Sequence, residues 1–172
     1  MSGVSASGHG IYLTGGAHRG LMEDIFCRNI GQDCVRIGNA LGWTILHPRF
    51  SGNIPESPFA LAGSLTAKNG IKGEHSNSGT LTIISPLIEG MSNWGIDIFT
   101  GSLNTVVLGG TVEGNGQAPG AGGNIRTAGF NTSIIGVDVE VGGTVSTITV
   151  TGAKSTLIEN SVGAGGGTAG LI

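Results

Sequence analysis

The sequence predicts an all-β chain wound into a parallel solenoid, and three observations carry that prediction. Glycine supplies 34 of 172 residues in a chain that is not disordered, apolar residues alternate at period two, and short apolar segments recur about every 24 residues.

Glycine stands at about three times its ordinary ~7%, yet no Gly-X-Y period is present and proline numbers five, which excludes collagen. With 38% hydrophobic residues, a chain of single-domain length can bury one continuous core. So much glycine in an ordered chain implies many turns.

Charged residues make up 11% of the chain, roughly half the usual ~25%, and the net charge is −3. The basic footprint of a nucleic-acid binder is missing, so no nucleic-acid partner is expected. The longest apolar runs fall far short of the roughly 20 residues of a membrane helix, so no membrane insertion is expected. The N-terminal MSGVSASGHG lacks a basic n-region and an apolar h-region, so no signal peptide is expected. Cys27 and Cys34 show neither C-x-x-C nor His-partner spacing, and support neither a zinc site nor a redox motif. They read as free thiols, with a local disulfide as the alternative.

The repeat has two families. GIYLTG, CVRIGN, NGIKGE, GIDIFT, NIRTA and TITVTG align on Ile11, Val35, Ile71, Ile96, Ile125 and Ile148. WTILHPRFSGN, LTIISPLIEGM, TVVLGGTVEGN, TSIIGVDVEVG and STLIENSVGAG follow the later members, and Ile88, Val112, Val139 and Val162 align within them. Two strand sets sharing one period describe a coil with one turn per repeat. A strand neighbours its own equivalent one turn later only in parallel, with strands about 4.8 Å apart. The long interval from Val35 to Ile71 contains the Pro-bearing NIPESPFALAG, residues 53–63. Either this is a loop ejected from one turn, or FALAG is itself a strand, since Phe59 stands 24 residues beyond Val35, and the next turn is truncated.

GIxL-type strands followed by NTxI-type strands resemble the right-handed β-helix of the pectate-lyase-like superfamily, and most of all bacteriophage tailspike and tail-fibre proteins. The likeness covers about residues 8 to 165 as a pattern, without the signature motif of a single family. It implies a right-handed, single-stranded parallel β-helix of about six turns. Residues 1–9 then form an N-terminal segment, 10–165 the solenoid with a loop insertion near 53–68, and 166–172 a Gly-rich tail. The superfamily holds polysaccharide lyases, hydrolases, epimerases and non-catalytic virion domains, so fold follows from the resemblance more directly than function. For this chain it implies a virion location, a bacterial surface polysaccharide as partner, and a homotrimer or neighbouring virion subunits. Solenoid ends expose unpaired backbone, and neither end here supplies an amphipathic capping helix, which also favours an oligomer.

Tyr12, Arg36, Lys72, Asp97, Arg126 and Thr149 each follow a matched Ile or Val and therefore form one outward column. Asp97 falls between Lys72 and Arg126, where opposite charges on neighbouring strands contribute about 0.2–1 kcal/mol each without any ligand. The functional alternative is a sugar-binding strip in which the cations take acidic saccharides and Tyr12, Trp94 and Phe99 offer ring faces.

Glu89, Glu113 and Glu140 follow Ile88, Val112 and Val139, and should stack in three successive turns. Such carboxylates can splay into water, raise one another's pKa toward the acid and base of glycoside cleavage, or hold calcium jointly. Apart from that calcium alternative no cofactor is expected.

Asn104 and Asn131 suggest a stacked amide ladder. His9, His18, His47 and His75 lack metal-motif spacing, and no G-x-S-x-G elbow is present. His75 either joins the first column beyond Lys72 and Glu74 or lies in a loop, and Trp43 is either outward or core, filling a solenoid corner. The GAGG at 120–123 and GAGGG at 163–167 do not lead into helices and are not phosphate loops. The leading expectation is a structural virion module that presents a polysaccharide-binding surface. The alternatives are a polysaccharide hydrolase or lyase, for which six turns make a short groove, and a spacer without ligand.

Overall fold

The computed structural model describes residues 8–28, 30–52, 67–74, 79–98, 104–116, 122–128, 131–140, 148–150, 155–159 and 162–164. All of its regular structure is β. The first coil contributes β1 (Ile11–Leu13), β2 (Ala17–Glu23) and β3 (Phe26–Arg28), and the second β4 (Val35–Ile37), β5 (Ala40–Leu46) and β6 (Arg49–Ser51). The third holds β7 (Asn69–Gly73), β8 (Thr80–Ile84) and β9 (Leu87–Glu89), and the fourth β10 (Trp94–Ile98), β11 (Asn104–Leu108) and β12 (Thr111–Glu113). The fifth holds β13 (Ile125–Thr127), β14 (Asn131–Ile135) and β15 (Asp138–Glu140), and the sixth β16 (Ile148–Val150), β17 (Ser155–Glu159) and β18 (Val162–Ala164).

Each coil gives one strand to each of three six-stranded sheets, in the orders β1-β4-β7-β10-β13-β16, β2-β5-β8-β11-β14-β17 and β3-β6-β9-β12-β15-β18. All pairings are parallel, so the chain is a β-solenoid with a repeat near 24 residues. Among the described residues no helix is long and apolar enough to cross a membrane.

Burial explains the alternation. Val35, Ile71, Ile96 and Ile125 of the first sheet are fully buried, as are Ile45, Ile83, Val107 and Ile134 of the second. Phe50, Ile88, Val112 and Val139 complete the core from the third. Each set is in register from coil to coil, so every inward side chain sits on its own equivalent above and below.

The corner between second and third sheets explains why the second sequence family looked like single strands. In four members two strands join at a left-handed residue, His47 (φ 48°), Ser85 (47°), Gly109 (58°) and Gly136 (64°), and Asp24 (50°) does the same in the first coil. Asp, His and Gly tolerate that region better than most residues. The ladder survives the bend, because Asp24, His47, Ser85, Gly109 and Gly136 donate their N–H groups to Leu46, Ile84, Leu108, Ile135 and Glu159 carbonyls at 2.8–3.0 Å. Pro48 and Pro86, the next residues in two coils, give up their own donors where the path turns.

Three sequence expectations need correction or sharpening. Val35 pairs with Ile71 and not with Phe59, so the excess length falls between β6 and β7; residues 53–66, FALAG included, lie outside the described residues. Val139 pairs with Gly163, and Val162 pairs with Asp138. The expected Val139–Val162 match is one residue out because the corner after β16 has one residue more than the corner after β13, and a single insertion there shifts both following strands. Cys27 and Cys34 are joined in a disulfide with Cα atoms 5.8 Å apart, not free. Both side chains point into the core on either side of one corner, so the short sequence separation becomes a facing pair.

The expected amide ladder is present. Asn131 Nδ2 donates to Asn104 Oδ1 at 2.9 Å, and Ser155 Oγ donates to Asn131 Oδ1 at 2.6 Å.

Candidate functional site

Tyr12, Arg36, Lys72, Asp97, Arg126 and Thr149 form one in-register column on the outer face of the first sheet. The charges in it are matched within the chain. Arg126 clamps Asp97 with Nε to Oδ1 at 2.8 Å and Nη2 to Oδ2 at 2.7 Å, the bidentate geometry a planar guanidinium favours. Asp97 is fully buried beneath it. Lys72, next to Asp97 in the column, bonds Glu74 Oε1 at 2.9 Å, and Arg36 Nη2 bonds the other oxygen of the same carboxylate. Burial alone would push Glu74 up, but the hydrogen bonds from Lys72 and Arg36, with their charges, hold its carboxyl below the ordinary value.

The aromatic residues divide. Tyr12 is 51% exposed, and its ring lies 5.4 Å from the Arg36 guanidinium carbon. Trp94 is buried, which overturns its expected role as an open sugar platform. The Arg126 guanidinium stacks on it at 5.1 Å, and the backbone of Gly122 lies so close that any Cβ there would overlap the indole. Phe99 and His75 lie outside the described residues. Trp43 is half-buried against the core and donates Nε1–H to the Ala17 carbonyl at 3.2 Å.

A polar cluster under the head of this column escaped the sequence reading. His9 Nε2 lies 2.8 Å from Arg36 Nη1 and His9 Nδ1 lies 3.2 Å from Asp33 Oδ2. A guanidinium only donates, so Nε2 accepts from Arg36, while Nδ1 faces both the Asp33 carboxylate and the Asp33 backbone N–H, which points at it from 3.2 Å. Asn69 Nδ2 donates to the other Asp33 oxygen at 2.6 Å, and Asn69 Oδ1 accepts from the Trp94 N–H at 3.1 Å. His9, Asp33, Asn69 and Trp94 all stand two positions ahead of a matched Ile or Val. Aligning that position as a column of its own would have revealed them.

The glutamates stack as the sequence predicts. Glu113 is in register with Glu89, and Thr111 with Asp138, which places Glu140 next in the same column. Burial pushes the Glu113 carboxyl up, and the charges of Glu140, Glu89 and Asp138 and a hydrogen bond with Glu140 push the same way. Ser51, one coil before Glu89, donates Oγ–H to Glu89 Oε1 at 3.3 Å. A carboxyl held above its ordinary value beside other carboxyl groups is the kind of pairing that glycoside cleavage uses. Among the described residues no three His, Cys, Asp or Glu side chains converge in a metal-holding group.

No protein-family model matches the chain, and no curated protein or solved structure matches it either.

Proposed function

We propose that this chain is a structural β-helix module of the phage tailspike or tail-fibre type, assembled on the virion as a homotrimer, whose first sheet presents its outer face to a bacterial surface polysaccharide. The observation that supports this reading most is the exposed Tyr12 ring beside Arg36, at the head of a column of planar guanidinium and carboxylate pairs. An exposed ring takes the apolar face of a sugar, and such pairs both donate to and accept from hydroxyls. Because Arg36, Lys72 and Arg126 are each ion-paired in the chain, a hydroxyl-rich neutral glycan fits better than the acidic one expected from sequence.

The test is retention and cleavage of a panel of neutral and acidic bacterial polysaccharides by the assembled protein. Retention without cleavage, lost in Tyr12→Ala and weakened in Arg36→Ala, is the expected result.

The raised Glu113 carboxyl favours a second reading, a polysaccharide depolymerase. In it Glu113 protonates the glycosidic oxygen while ionised Glu89 or Glu140 attacks the anomeric carbon or activates water. Cleavage abolished by Glu113→Gln would establish it, and calcium-dependent activity would point to the column as a cation holder. Neither retention nor cleavage would leave a spacer.

A further inference from the structure

We infer that the outer face of the second sheet is the surface through which copies of this chain associate. The inference rests on the trimer proposed above and assigns its interface. Leu46, Ile84, Leu108 and Ile135 are in register on that face and form an aliphatic column through coils two to five. Glu23 precedes the column in the first coil and Glu159 follows it in the last. All four aliphatic side chains are only half-buried. Beside them runs a second outward column in which Thr44, Thr82, Val106 and Ser133 are uncharged as well.

Charge separates this face from the other two. Strands β5, β8, β11 and β14 contain no charged residue. Over the same coils every first-sheet strand carries one, Arg36, Lys72, Asp97 and Arg126 in turn. Every third-sheet strand carries at least one as well, from Arg49 to Glu140. Faces that hold ions resist losing water, whereas an uncharged aliphatic face gains by it. The amides along the near edge, Asn104 and Asn131, already share one hydrogen bond, which lowers the cost of covering them.

The occupant follows from the same distribution. An uncharged stripe bounded by a carboxylate at each end matches a surface with equal spacing and no ion opposite its middle, and the same stripe on another copy meets that requirement. Strands about 4.8 Å apart and residues about 3.3 Å apart give the six-stranded face on the order of 400 Å². That is about half of what one partner contributes to a standard interface, too little for a flat two-copy sandwich. It suits an axis on which three copies converge, where Leu46, Ile84, Leu108 and Ile135 form successive layers and the flanks add further contact. The end layers of Glu23 and Glu159 repel their own copies, which fixes where the dry contact stops.

The experiment is sedimentation equilibrium over a concentration series on the wild-type chain, Leu108→Lys, Ile84→Lys and the third-sheet control Thr111→Lys, with circular dichroism to check folding. Wild type and Thr111→Lys should show a trimer mass, and both second-sheet variants should fall to monomer, at least 100-fold weaker in association. Leu108→Cys provides a milder probe should a lysine variant unfold. Oxidation should link it to a second copy, since the native cysteines are already paired with each other. A trimer that survives Leu108→Lys, or a folded Leu108→Cys that does not cross-link within a trimer, overturns the interface and leaves the trimer standing. A wild-type monomer throughout the series overturns both.

Discussion

Asp97→Asn removes a charge while keeping shape, and its cost can be worked from the clamp around it. The carboxylate is fully buried and accepts two hydrogen bonds from Arg126, at 2.8 and 2.7 Å. A carboxamide keeps one acceptor oxygen and turns an NH₂ toward a second N–H donor. One charge-assisted bond is lost, a change of roughly 1.5–3 kcal/mol. Arg126 is 33% exposed and can turn partly to water, which favours the lower part of that range, about 2 kcal/mol. For a chain of this length each kcal/mol moves Tm by roughly 2–4 °C, so a fall of about 4–8 °C is expected. Calorimetry at neutral pH on wild type, Asp97→Asn, Arg126→Gln and the double variant measures it, with a coupling of at least about 1 kcal/mol between the two sites. Polysaccharide retention should persist in Asp97→Asn. An unchanged Tm together with lost retention would refute the charge-balancing role and make Asp97 a ligand group.

Four further perturbations test other parts of the structure. Glu113 holds its proton more tightly folded than unfolded, so its contribution to stability falls as pH rises from the ordinary value near 4.5 through the raised one. Glu113→Gln should therefore raise the urea midpoint at pH 7, with the gain vanishing toward pH 4. Glu74 has the opposite sign: its lowered carboxyl contributes above its ordinary value, and that contribution is lost as pH falls through the lowered one, a slope Glu74→Gln should remove. Reducing the Cys27–Cys34 bond, which spans seven positions, should cost about 2–3 kcal/mol, with hydrogen exchange rising first in coil one. Gly122→Ala must displace the Trp94 indole, costing roughly 1–3 kcal/mol and shifting tryptophan emission to the red in a Trp43→Phe background.

Most of the fold was legible because a solenoid writes its pairing into its period. Ile11, Val35, Ile71, Ile96, Ile125 and Ile148 align by sequence spacing alone, and the structure pairs each with the next. What escaped had no apolar marker. The bend at His47 or Ser85 leaves the hydrophobic pattern running on, so two strands read as one, and in the first coil MEDIFCRN was not recognised as the same pair. The disulfide was hidden because a corner, not a strand, brings Cys27 to Cys34. Trp94 was misread for a related reason. Alternation sets Trp94 on the side of Ile96, two positions on, which argued against an open ring, and no apolar pattern shows that Arg126 and the Gly122 backbone close over it.

The two charged columns meet the same constraint in opposite ways. A residue in a solenoid has its neighbours chosen by the period, so a charge must accept whatever stands one coil above and below. In the first sheet, Arg36 and Lys72 are adjacent like charges, and the chain relieves them by bringing Glu74 from outside the column between them. In the third sheet, burial and the charges of Glu140, Glu89 and Asp138, all acids, push the Glu113 carboxyl up, and no cation is brought in to offset them. A spacer would be better served there by glutamine, which stacks without repulsion. Retaining glutamate costs stability at neutral pH, and such departures from local consistency concentrate where a protein has work to do. If Glu113→Gln is more stable yet binds and cleaves as wild type does, the column is an unrelieved surface charge. If it gains stability and loses activity, the cost was the function's, and the acid face, not the paired one, is where this module meets its glycan.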